Sequence, residues 1–223
     1  YESGISYLLQ EMKLLLSNPA CGKNTDHALL LDFTALYEDT FRGKTEKAIK
    51  LEKDALALLP EITAENAHLA ANLHSNLGGL YKRIQKFELA KQHMEHGLLL
   101  LEQYGLTYTN DTIVQAMNYA VLLADMGQVE QGLDALKKCA EIVEKYNSDR
   151  CLDYATVQEA IGYLYLMIGQ VKLAEHHFDI VRSIYRTFYA DEPERLAAKE
   201  SEIYGAFQLT GVNIAKAVLQ KYK

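Results

Sequence analysis

One period governs this chain: residue types recur every 42 positions. Gly43, Gly127, Gly169 and Gly211 stand 84, 42 and 42 residues apart, with Gln85 in the vacant place. Ala48, Ala90, Gly132 and Ala174 keep the step of 42, and so do Leu36, Gly78, Ala120 and Gly162. A fourth series, Tyr81, Leu123, Tyr165 and Phe207, is bulky instead of small. A fixed period of this length marks a stack of like supersecondary units, each unable to bury its apolar face alone. The small series are expected where the two helices of a unit cross closely, and the bulky series where neighbouring units leave space.

The unit is clearest from Leu73 to Glu102. Leu73, Leu77, Leu80 and Tyr81 form one stripe, and Leu89, Ala90, Met94, Leu98 and Leu101 form another. Spacings of three and four are those of apolar helix faces. A polar turn at about 84–86 joins them. Pro19, Pro60 and Pro193 all fall between expected helices, as an all-helical chain requires. Units are expected at about 27–60, 64–105, 110–147, 148–190 and 192–223, the last as helices of about 193–209 and 212–222. Gly43 and Gly105 suit helix ends, and Thr45 suits a cap for the helix that follows. Residues 1–26 hold one further amphipathic helix and a loop. They form a cap on the stack or, counting back 42, the remnant of a preceding unit.

The pattern of Leu73, Leu77, Gly78, Leu80 and Tyr81, then Ala90, Met94 and Gly97, resembles the tetratricopeptide repeat. The usual unit is about 34 residues; the 42-residue form resembles the repeats of kinesin light chains. The segment Tyr189–Ala197 resembles the acidic, Pro-containing loop between such repeats, and Asn76 and Asn118 fit the same likeness. The resemblance spans about residues 27–223. It implies an all-α, right-handed superhelical solenoid of about five helix hairpins with an N-terminal cap helix, its first helices lining a concave groove. On that likeness the groove residues would be Tyr37, Asn76, Lys82, Arg83, Met117, Asn118, Val121, Glu159, Tyr163 and Met167. An apolar middle with polar flanks suits a peptide, and an Asn amide can both donate to and accept from its backbone. Asp125 and Glu159 occupy places where a carboxylate clamp would need bases, so that mode is not expected.

The function expected is therefore a scaffold or adaptor that binds a peptide segment of a protein partner, and not an enzyme. The first alternative is a ligand-sensing regulatory domain of a larger signalling protein, motivated by a chain that begins at Tyr1 without methionine and ends at Lys223 without a polar tail; the second, resting only on the histidines, is a cryptic enzyme. A net charge of −7 with no basic stripe argues against nucleic acid, and the apolar runs are too short to span a membrane. Cys21, Cys139 and Cys151 show no CxxC spacing, so neither a disulfide framework nor a zinc site is expected, and a reducing, cytoplasmic setting fits. His93, His96, His176 and His177 lie on second helices, where seam or surface positions are expected and not a metal site. No cofactor motif is present. Gly162→Leu is expected to overpack the fourth crossing.

Overall fold

The structure is a computed structural model. It describes residues 2–18 and 24–221, the stretch 210–221 as backbone only; Cys21 and Pro19 lie outside the described residues. Ten helices and no strand occur among the described residues. They are α1 (Glu2–Leu16), α2 (Asn24–Thr40), α3 (Thr45–Ala57), α4 (Ala67–Arg83), α5 (Phe87–Gln103), α6 (Asn110–Asp125), α7 (Val129–Tyr146), α8 (Leu152–Met167), α9 (Val171–Phe188) and α10 (Pro193–Lys221). The fold is an all-α helical repeat. The chain forms two compact units, Tyr1–Gln115 and Ala116–Lys223.

The turns explain the glycine series. Gly43, Gly127 and Gly169 all have positive φ, between 62° and 76°, a region that costs an L-residue roughly 1–2 kcal/mol. Gln85, in the vacant place, adopts the same conformation at φ 60°. Each helix end is closed by a backbone bond that reaches back over the turn: Lys86 to the Tyr81 carbonyl, Gln128 to that of Leu123, Gln170 to that of Tyr165. These bonds require the left-handed residue. Gln85→Gly should therefore stabilise the protein by about 0.5–1 kcal/mol, the relieved strain being partly offset by the greater freedom of glycine in the unfolded chain. Chemical denaturation would measure it, and a loss of stability would show that the Gln85 side chain contributes contacts worth more than the strain.

The two small series face each other. A Cβ on Gly132 of α7 would lie 2.9 Å from the carbonyl oxygen of Ala120 on α6, and one on Gly78 of α4 would meet Met94 and the carbonyl of Ala90 on α5. Leu36 is the long member of its series and stays out of its crossing at 59% exposed. In the first unit the core gathers Ala28, Ala55, Leu73, Leu100 and Leu101; in the second it gathers Ala155, Phe178, Val181, Tyr185 and Ile203. Tyr81 and Leu123 of the bulky series are buried, while Tyr165 and Phe207 pack against the second core.

Two expectations need correction. The last unit is not a hairpin turning at Gly211: α10 runs unbroken from Pro193 to Lys221. In the other four turns the residue after the left-handed position is Lys44, Lys86, Gln128 or Gln170, whereas here it is Val212. A glycine within a helix costs only about 1 kcal/mol, so Gly211 does not by itself end the helix. Nor does Thr45 cap α3. Lys44 holds that place without a side-chain bond, and the Thr45 hydroxyl donates to Asp39 at 2.6 Å.

Candidate functional site

In the first unit the first helices α2 and α4 carry polar side chains that find one another. Asn76 is exposed, and its amide donates to the Asp32 carboxylate of α2 at 2.8 Å. Arg83 lies 3.3 Å from Asp39, which is itself buried. Glu38, also buried, accepts from Lys47 at 2.7 Å, and that bond holds its carboxyl below the usual range. Tyr37 is half-buried, lies tilted against the Phe41 ring at 5.6 Å and reaches Glu2 of α1 at 3.4 Å. Lys82 is half-buried at the end of α4. Asn76 and Arg83 thus tie one first helix to another.

Behind Asp32 lies a carboxyl that sequence reading missed. Glu52 of α3 is 1% exposed, and its Oε2 is buried without a hydrogen-bond partner among the described residues. It occupies the register of Met94, Leu136 and Phe178, all core positions. Burial, then the adjacent Asp32, push its pKa up to about 10. Glu52 is therefore a neutral acid at pH 7 that shares a hydrogen bond with Asp32. The signal was available: one acid in an otherwise apolar 42-residue series.

In the second unit Glu159, Tyr163 and Met167 follow one another at steps of four along α8, which places them on one face. Met167 is 59% exposed. The Glu159 carboxylate accepts from Tyr163 at 3.2 Å and from Tyr185 of α9 at 2.9 Å. Burial, then this carboxylate, push the Tyr163 phenol up to about 12 and raise that of Tyr185 as well. Both tyrosines remain donors at any physiological pH. On α6, Val121 is 45% exposed, Asn118 is exposed and Met117 half-buried. This unit therefore gathers six of the ten residues singled out from sequence on two first helices, with apolar side chains open to solvent. The other four belong to the first unit.

His74, His93 and His177 are seam residues, half-buried between helices, whereas His96 and His176 are exposed. Nδ1 of His74 on α4 lies 3.0 Å from Nδ1 of His93 on α5, and His96 stacks on His74 at 4.3 Å. His177 of α9 hydrogen-bonds Gln158 of α8. Burial above all lowers His74 and His177 to about 4 and depresses His93. Among the described residues no three His, Cys, Asp or Glu side chains are placed to hold a metal ion. Cys139 is buried, its thiol pushed up to about 11 chiefly by burial, and Cys151 caps α8 through its sulfur. No helix among the described residues is long and apolar enough to cross a membrane.

Comparison with known proteins places this geometry. Residues 111–187 match the family model of the tetratricopeptide repeat. No curated protein matches the sequence. Among solved structures, the nearly identical TPR-like repeats of a putative kinesin light chain from Podosopora anserina superpose with a TM-score of 0.69 at 14% identity, over 84% of this chain and 88% of that one. BtubC (BKLC) from P. vanneervenii gives 0.64 at 17% identity, over 93% and 91%. The apo form of RapI gives 0.63 at 17% identity; there 91% of this chain covers 56% of that one.

Proposed function

For a chain that is a tetratricopeptide-repeat protein, with the repeat matched over residues 111–187, we propose a non-enzymatic role as a protein-interaction scaffold that binds a peptide segment of its partner. The binding strip comprises Met117, Asn118 and Val121 of α6 with Glu159, Tyr163 and Met167 of α8. One observation carries this reading: Val121 and Met167 stand in solvent on first helices, whereas buried positions of the same helices, such as Leu122, Leu123, Leu164 and Leu166, are used for the core. Apolar side chains withheld from the core and edged by an amide and a carboxylate suit a peptide with alternating apolar and polar groups. Asn118 offers one donor and one acceptor to its backbone, and Glu159, already oriented by two tyrosines, offers a fixed negative edge. Tyr37, Asn76, Lys82 and Arg83 contribute in the first unit, where Asn76 and Arg83 would exchange their present partners for the ligand.

Similar structures support the reading in kind. A Rap protein complexed with Competence and Sporulation Factor is matched at 18% identity with a TM-score of 0.60 over 92% of this chain. The Rap conjugation gene regulator of plasmid pLS20, in complex with the Phr* peptide, is matched at 16% with 0.52. The same matches favour a second reading, a ligand-sensing regulatory domain, because one of them is a gene regulator in complex with a peptide; this chain spans 57% and 56% of the length of those proteins. A cytoplasmic setting accords with either.

Peptides selected from a random display library against the pure protein would test the proposal. Asn118→Ala with Tyr163→Ala should weaken their binding at least tenfold, which corresponds to about 1.4 kcal/mol, while circular dichroism stays that of the folded protein. Selected peptides that bind this variant as well as the wild type would move the site away from the strip.

A further inference from the structure

A tyrosine–histidine stack with a lysine in fixed register is built twice, two periods apart. In the first unit the Tyr81 ring has His93 of α5 near-parallel at 5.4 Å and the Lys53 ammonium of α3 at 5.5 Å. In the second unit Tyr165 stacks on His177 of α9 at 5.3 Å, and His176 meets His177 edge-on at 5.5 Å. Lys137 of α7 holds the register of Lys53, and its charge acts on His177. Lys53 and Lys137, His74 and Gln158, Tyr81 and Tyr165, and His93 and His177 are each 84 residues apart. The register midway between them reads Glu95, Ala116, Leu123 and Ala135.

We infer that the two stacks are acid-triggered latches, which hold the α3/α4/α5 and α7/α8/α9 junctions closed at neutral pH and loosen them when the imidazoles are protonated. The chemistry follows from the contacts. Between the facing Nδ1 atoms of His74 and His93 one proton makes a hydrogen bond, whereas two protons place two donors against each other. The charges that act on the three half-buried rings are cationic. His93 faces Lys53 of α3 and His96 of its own helix; His74 faces His96 and His93 of α5; His177 faces Lys137 of α7 and His176 beside it. Each added proton therefore meets a like charge as well as burial.

The direction of the pH effect is fixed by these shifts. A histidine held below its ordinary value of about 6.5 remains neutral in the folded protein while the unfolded chain takes up protons. The stability these histidines contribute is full above about pH 6.5 and is lost as the pH falls toward 4. Melting and amide hydrogen exchange at pH 7 and pH 5 would read it. The wild type should lose on the order of 5–10 °C in melting temperature, with protection falling first in α4–α5 and α8–α9. The variant His93→Gln with His177→Gln should lose most of this pH dependence. His68→Gln should keep it, since His68 is exposed and paired with Asp111. A double variant with the full wild-type pH dependence would overturn the inference. Proton NMR titration of the wild-type imidazoles decides it even where the double variant fails to fold: a value near 4 for His177 and a depressed one for His93 support the latch, and ordinary histidine values for both refute it.

Discussion

Glu52→Met should raise stability at pH 7 by about 2–3 kcal/mol. Glu52 is 1% exposed, stands in a register that Met94, Leu136 and Phe178 fill with apolar side chains, and leaves one oxygen unpartnered. Its carboxyl is pushed up to about 10 from 4.5. An acid whose folded value lies above its unfolded one contributes its full stability below the unfolded value. That stability is lost as the pH rises toward the folded value. At pH 7 the unfolded chain has already released the proton that the folded chain keeps, and the difference is about 3 kcal/mol. A methionine of similar length removes that cost and adds apolar burial. Denaturant melts between pH 7 and 9, above the range in which the histidines titrate, would show wild-type stability falling with pH and a flatter profile for the variant. A variant less stable than the wild type at pH 7 would mean that the Glu52–Asp32–Asn76 hydrogen bonds outweigh desolvation.

Gly132→Leu should cost about 3 kcal/mol and lower the melting temperature by roughly 6–12 °C. The first added carbon would lie 2.9 Å from the Ala120 carbonyl oxygen and 3.3 Å from Leu164 Cδ1. A backbone carbonyl within a helix cannot step aside, so α6 and α7 would have to separate. Gly162→Leu meets the Phe178 ring at 2.9 Å. A ring can tilt, so its cost is smaller, about 2 kcal/mol, although the period alone ranks the two sites as equals. Gly79→Leu is the control: nothing lies within 4 Å of its added Cβ, and the better helix propensity should gain up to about 0.8 kcal/mol. Equal melting temperatures for the Gly132 and Gly79 variants would show that the crossing has room to spare.

Much of the fold was legible because it is local and repeated. The left-handed turn residue, the small crossing positions and the bulky junction positions each recur every 42 residues, and each has a steric meaning that residue type alone reveals. Legibility failed at the ends of that logic. At Gly211 the series continues, yet the expected hairpin is one unbroken helix. Leu36 for Gly or Ala showed that a series can lapse without breaking the hairpin it marks. The candidate site was legible as positions on first helices, but not as a pattern of engagement. Asn76, Arg83 and Tyr163 carry groups that a ligand could use, and each is already bonded, to Asp32, Asp39 and Glu159 respectively.

By itself the sequence determined most of the helices, the turns at Gly43, Gln85, Gly127 and Gly169 and the helix faces that cross, since those follow from spacing along the chain. Only the tertiary structure decided which side chains remain open. Asp32 and Asn76 are 44 residues apart, and Glu159 and Tyr185 are 26. Whether such groups touch depends on helix crossing, depth and rotamer, none of which a period encodes. The same holds for Glu52 and His93, whose ordinary chemistry is changed by burial and by charges brought in from other helices.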